Sequence, residues 1–121
     1  MFPLIKSTLG EIMIPDKVLL VGHQVDNTTI DFSKEIRDKK KINQFENIFK
    51  EVKFLQDVKL KEENYPDMIT NIRHKNGTST HWFKIWVNEE ESIVLKSNLG
   101  KPSIGRLTKS QVDTLESIVT D

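Results

Sequence analysis

Apolar residues recur along this chain with two different periods, and the two periods predict two kinds of element. In residues 39–54, Ile42, Phe45, Phe49 and Val52 follow at spacings of three, four and three, and Ile48 widens the stripe. That spacing places them on one face of a helix. Asp38 precedes the run as an N-cap whose carboxylate accepts from an orphan backbone N–H. Glu46 and Lys50 stand four apart in the orientation that favours an ion pair. A second helix begins after Thr108. Thr108 and Gln111 match a capping box, Leu107 and Val112 match the hydrophobic staple around it, and Val112, Leu115, Ile118 and Val119 form the buried stripe.

Between the helices the period is two. The chain is expected to run extended from Asp67 to Lys75, turn at Asn76-Gly77 and return from Thr78 to Val87. Asn-Gly suits a two-residue type I′ turn, which needs positive φ at both positions. That turn sets a register: Lys75 opposite Thr78, Arg73 opposite Thr80, Ile72 opposite His81, Thr70 opposite Phe83 and Met68 opposite Ile85. One face then carries Met68, Ile72, Phe83, Ile85 and Val87, and the other carries Ile69, Arg73, Trp82, Lys84 and Trp86. Residues 88–91 read as a second turn and 92–96 as a third strand. Shorter strands are expected at 11–15, 18–21, 28–32 and 104–107, with Gly22 ending the second of these and residues 56–66 irregular. Two amphipathic helices and a meander of strands predict one two-layer α+β domain, with a mostly antiparallel sheet, over residues 1–121.

Composition narrows the function classes. The chain has 18 basic and 18 acidic side chains, and the signs are interspersed, so it lacks the basic excess expected of a nucleic-acid binder. The apolar share is 36%, which predicts a thin core. No cysteine is present, which removes thiol nucleophiles, iron–sulfur clusters and cysteine zinc sites. No run of 18 apolar residues occurs, and the start Met1-Phe2-Pro3-Leu4-Ile5-Lys6 has no apolar stretch after a basic segment, so neither a membrane span nor a signal peptide is expected within the chain.

Candidate chemistry is sparse. His74 and His81 fall on one face of the expected hairpin, but no carboxylate accompanies them there and His23 is distant in sequence. They are read as polar residues finishing the sheet face rather than as metal ligands. The basic run Lys39-Lys40-Lys41 is read as a solvated helix start, and Glu89-Glu90-Glu91 as a solvated turn. No phosphate-binding glycine loop, calcium loop or nucleophile elbow is found. The expectation is a non-enzymatic domain with no cofactor and no metal. Its best surface for a partner is the face of Trp82 and Trp86, with Ile69, Ile93 and Leu95 around them and the cations Arg73 and Lys84 beside them. Tryptophan is enriched at binding hot spots. The same indoles can instead pack against a helix or the N-terminal strands.

The stretch Phe45-Glu46-Asn47-Ile48-Phe49-Lys50, the Pro66-Asp67 strand opening, the strand Trp82-Phe83-Lys84-Ile85-Trp86-Val87, and Gly105-Arg106-Leu107-Thr108 leading into Val112, Leu115 and Ile118 together resemble the YhfM-like small lipoproteins of Bacillus and related Gram-positive bacteria. The resemblance covers residues 28–119 and rests on hydrophobic patterns. It implies a compact α+β ectodomain, held outside the membrane by a lipidated cysteine that this chain does not contain. It also implies an extracytoplasmic location; together with the Trp82 and Trp86 face, it motivates the expectation of a protein, peptide or envelope component as partner. It carries over no catalytic residue. The alternative expectation is a cytoplasmic structural or regulatory domain, and a small hydrolase or metal-dependent enzyme is a third.

Overall fold

The computed structural model describes residues 16–56, 64–89, 91–96 and 102–120. The strand expected at 11–15 lies outside them. The elements are β1 (Lys17–Gln24), β2 (Ile30–Ile36), α1 (Lys39–Lys50), β3 (Leu55–Gln56), β4 (Met68–His74), β5 (Ser79–Trp86), β6 (Ser92–Lys96), β7 (Ser103–Leu107) and α2 (Lys109–Val119). The strands form one seven-stranded sheet in the order β2-β1-β4-β5-β6-β7-β3, and each neighbouring pair is antiparallel. The fold is mixed α+β.

Both helices begin where side-chain chemistry starts them. The Asp38 carboxylate accepts from the backbone N–H of Lys40 at 2.8 Å and of Lys41 at 3.4 Å. At α2 the Thr108 hydroxyl accepts from Gln111 N at 3.2 Å while the Gln111 amide oxygen accepts from Thr108 N at 2.8 Å, a reciprocal capping box. The first helix stops at Lys50 rather than 54. Val52 and Phe54 follow it in irregular chain yet still pack on the core.

The core joins Ile42, Phe45, Ile48 and Phe49 of α1 and Val112, Leu115 and Ile118 of α2 to Leu19, Val21, Ile36, Ile72, Phe83, Ile85, Val94 and Leu107 of the sheet. Leu20, Ile69, Trp86 and Ile104 alternate with these along the strands and are buried too, so apolar groups are shielded on both faces of the sheet. Two polar ties cross between elements. Lys17 of β1 pairs with Glu46 of α1 at 2.8 Å, so Glu46 reaches back to the sheet instead of pairing with Lys50. The Lys34 ammonium of β2 donates to the Val119 carbonyl at the C-terminal end of α2, where the helix dipole favours a cation.

The hairpin β4–β5 departs from the expected register at its tip. His74 N donates to Thr78 O, and Gly77 N donates to His74 O. Of the two turn residues, Gly77 alone has positive φ, at +94°. The loop is therefore the three residues Lys75-Asn76-Gly77, with glycine in the left-handed position that such loops require. Arg73 pairs with Ser79 and Ile72 with Thr80, one residue off the expected partners. A bulge then absorbs the extra residue. His81 and Trp82 together oppose Asn71, and from Thr70↔Phe83 onward the pairing is the expected one. His81 supplies the bulge with φ +56°, a left-handed conformation that costs a non-glycine residue roughly 1–2 kcal/mol.

Candidate ligand-binding site

A cavity of about 670 Å³ opens beside the bulge. Helix α1 contributes Glu46, Phe49 and Lys50, the chain after it Val52 and Phe54, β5 the stretch 79–83, and β6 Lys96. Its apolar wall is a run of three aromatic rings. Phe83 stacks on Phe49 with centroids 4.3 Å apart and planes 29° apart. Phe54 stacks on Phe83 at 5.7 Å and 13°. Phe54 can do this because the helix has ended, which frees its side chain to fold back over the sheet. The Lys96 ammonium sits 5.2 Å from the Phe54 ring centroid, within cation–π range.

The polar side of the cavity is organised by Thr80. Its hydroxyl lies 2.7 Å from His74 Nε2 and 2.9 Å from His81 Nδ1. The three-residue loop places Thr80 opposite Ile72, and at the bulge that follows the His81 ring lies against Phe45 and Phe83. A hydroxyl has one proton to give, so it donates to one imidazole and accepts from the other when both rings are neutral.

Burial in this aromatic setting holds the His81 pKa below the usual histidine value; Lys17, His74 and Lys96 act in the same direction and Glu46 opposes them. The folded state therefore binds fewer protons than the unfolded chain. The stability His81 contributes is complete above an unfolded pKa of about 6.5 and is lost as pH falls from there through the folded pKa. Thermal melts at pH 7.5 and 5.5 are expected to show a larger acid-side loss in the native chain than in His81→Asn, which keeps a residue tolerant of left-handed φ. Equal losses in the two proteins would exclude His81 as a source of the pH dependence.

The residues singled out from sequence are dispersed. Trp86 is 5% accessible and donates its indole N–H to the Asn64 carbonyl at 2.8 Å. Trp82 is 40% accessible, meets the edge of Phe32 with centroids 5.8 Å apart, and also lines the cavity. Lys84 is half-buried and Arg73 exposed near the hairpin tip. Of the four, Trp82 alone belongs to the cavity. Sequence pattern marks Phe49 only as a buried helix position, and it gives no site role to Phe54, Thr80 or Lys96. The one local signal for Phe54 is an aromatic residue two positions past the helical stripe.

No family model matches the chain, and no curated protein or solved structure shows significant similarity to it.

Proposed function

We propose that this chain is a non-catalytic binding domain that takes an apolar, ring-bearing group of its ligand into the cavity between α1 and strands β5 and β6. One observation carries the reading: an open volume of about 670 Å³ is lined by the half-buried Phe54 and backed by Phe83, which stacks on both Phe54 and Phe49, and that volume is within the range of small-molecule pockets. Glu46, Lys50, Ser79, Thr80, His81 and Lys96 share its lining with the aromatic rings, and these polar groups would orient the ligand. The reading includes a two-layer architecture in which α1 and α2 are amphipathic and lie together on one face of the sheet. The resemblance to YhfM-like lipoproteins supports a place at the Gram-positive cell envelope, where the bound group would belong to a peptide or an envelope component.

The test is a titration of the isotopically labelled protein with 4-phenylbutanol, followed by amide chemical shifts. Saturable shifts confined to residues 49–54, 79–83 and 96 are expected. Phe54→Ala should weaken the affinity by about tenfold, the equivalent of the 1–2 CH₂ groups of contact that the ring provides, with the fold unchanged. Shifts absent from these segments, or unaltered by Phe54→Ala, would refute the cavity as the binding site.

A further inference from the structure

The charges around the cavity select among ligands that share an apolar body. Glu46 is the one acid among the described residues of its wall, and its carboxylate is engaged by Lys17 at 2.8 Å. Two cations of the wall, Lys50 and Lys96, have no carboxylate partner among the described residues. The local excess of positive charge is a property of this cavity and not of the whole chain, whose formal charge is zero. Lys96 stands over the aromatic wall itself, so a ligand lying on Phe54 has an ammonium next to it.

His81 adds a directional group. Its Nδ1 is engaged with Thr80. When the Thr80 hydroxyl donates to that nitrogen, the ring proton resides on Nε2, which is then a donor. His74 Nε2–H in turn supplies the hydrogen bond that Thr80 accepts. A bound anion favours this tautomer, because it gains a donor; a bound cation would meet Lys50 and Lys96, which have no carboxylate partner among the described residues, with Glu46 the one acid of the wall and already held by Lys17.

Resting on the cavity being the binding site, we propose that its ligand is a small amphipathic carboxylate, with the apolar body against Phe54, which the buried rings of Phe83 and Phe49 back, and the negative charge met by Lys50, Lys96 and His81. Isothermal titration calorimetry of the full chain at low salt with three probes of equal length, 4-phenylbutyrate, 4-phenylbutanol and 4-phenylbutylammonium, tests this. The carboxylate is expected to bind about tenfold more tightly than the alcohol, and the ammonium most weakly. In the double variant Lys50→Met, Lys96→Met the apolar stems are kept, and the ratio of carboxylate to alcohol affinity should fall below about threefold. An alcohol or ammonium that binds as well as the carboxylate, or an advantage that survives loss of both lysines, would overturn the anion assignment and leave the cavity as a binding site. Failure of all three probes to bind would overturn both.

Discussion

Replacing Phe45 by alanine is expected to cost about 3–5 kcal/mol of folding stability, the usual loss for emptying a buried phenylalanine site. Phe45 is fully buried and occupies the junction of α1 with the sheet. Its ring lies 4.8 Å from Phe49, 6.3 Å from Phe83 and 6.1 Å from His81, centroid to centroid. Phe45 shares its cluster with Leu19, Ile72, Ile85 and Leu115, which are themselves fully buried and held in strands and helix, so the site collapses only in part. Small domains are stable by only about 5–15 kcal/mol, so much of the total is lost. Equilibrium urea unfolding would show a lower midpoint with an unchanged slope. The substitution should also relax His81, whose ring loses the hydrocarbon that excludes water from it, and its NMR-detected pKa should rise toward the ordinary value. A loss under about 1.5 kcal/mol would mean that the site repacks and that Phe45 is not the joint described above.

Features set by neighbours in sequence were readable before the structure. Asp38 and Thr108 cap their helices because the hydrogen bonds involved span two or three residues. Strand β6 shows its bounds because Ile93 and Leu95 alternate with Val94. The hairpin register was half readable. An Asn-Gly pair suits both a two-residue and a three-residue loop, and the choice between them shifts every pair near the tip by one. The correction is made four residues past Gly77, at His81, and only because Phe83 is drawn to the core beside Phe49 and Phe54. A local pattern contains nothing of that. Strand β2 was seen only as far as Phe32, since Lys34 breaks the apolar alternation. Its amine is accommodated by the Val119 carbonyl at the far end of the chain.

The cavity was hidden for the same reason. Its wall draws on the end of a helix, the chain beyond it, a bulged strand and the last residue of β6, and no spacing in sequence relates those segments. Trp82 and Trp86 were conspicuous because they are large and share a strand face. What separates them is the stretch before β4: Asn64 supplies the carbonyl that receives the Trp86 N–H, which makes Trp86 a packing residue, while Trp82 stays accessible at the cavity and against Phe32. The sequence pattern makes His74 and His81 face-mates but not partners of one hydroxyl, because a two-residue turn puts Arg73, not Ile72, opposite Thr80.

Gly22→Ala is expected to disrupt the pairing of β1 with β2, a steric effect that can be separated from backbone preference. The sequence suggests that Gly22 ends a strand; instead it lies inside β1, opposite Ile69 of β4. On its other side β2 carries one extra residue between the pairs Val21↔Lys34 and His23↔Asp31. That irregularity brings the β2 backbone in so closely that a Cβ on residue 22 would lie 2.4 Å from the Asp31 carbonyl oxygen and 2.8 Å from the Phe32 Cα. These are main-chain atoms, and no side-chain rotation relieves the overlap. The strands must part, at a cost of about 1–3 kcal/mol or more for overpacking of this kind. Hydrogen exchange should quicken at the amides of residues 31–36, and the Phe32 ring should leave the edge of Trp82, shifting the tryptophan fluorescence. Gly77→Ala provides the contrast. Its φ is +94° but nothing lies within 4 Å of an added Cβ, so it should cost only about 1 kcal/mol, the conformational preference of glycine, with β2 exchange unchanged. If Gly22→Ala behaved like Gly77→Ala, the close approach of β2 would not be a property of the folded protein in solution.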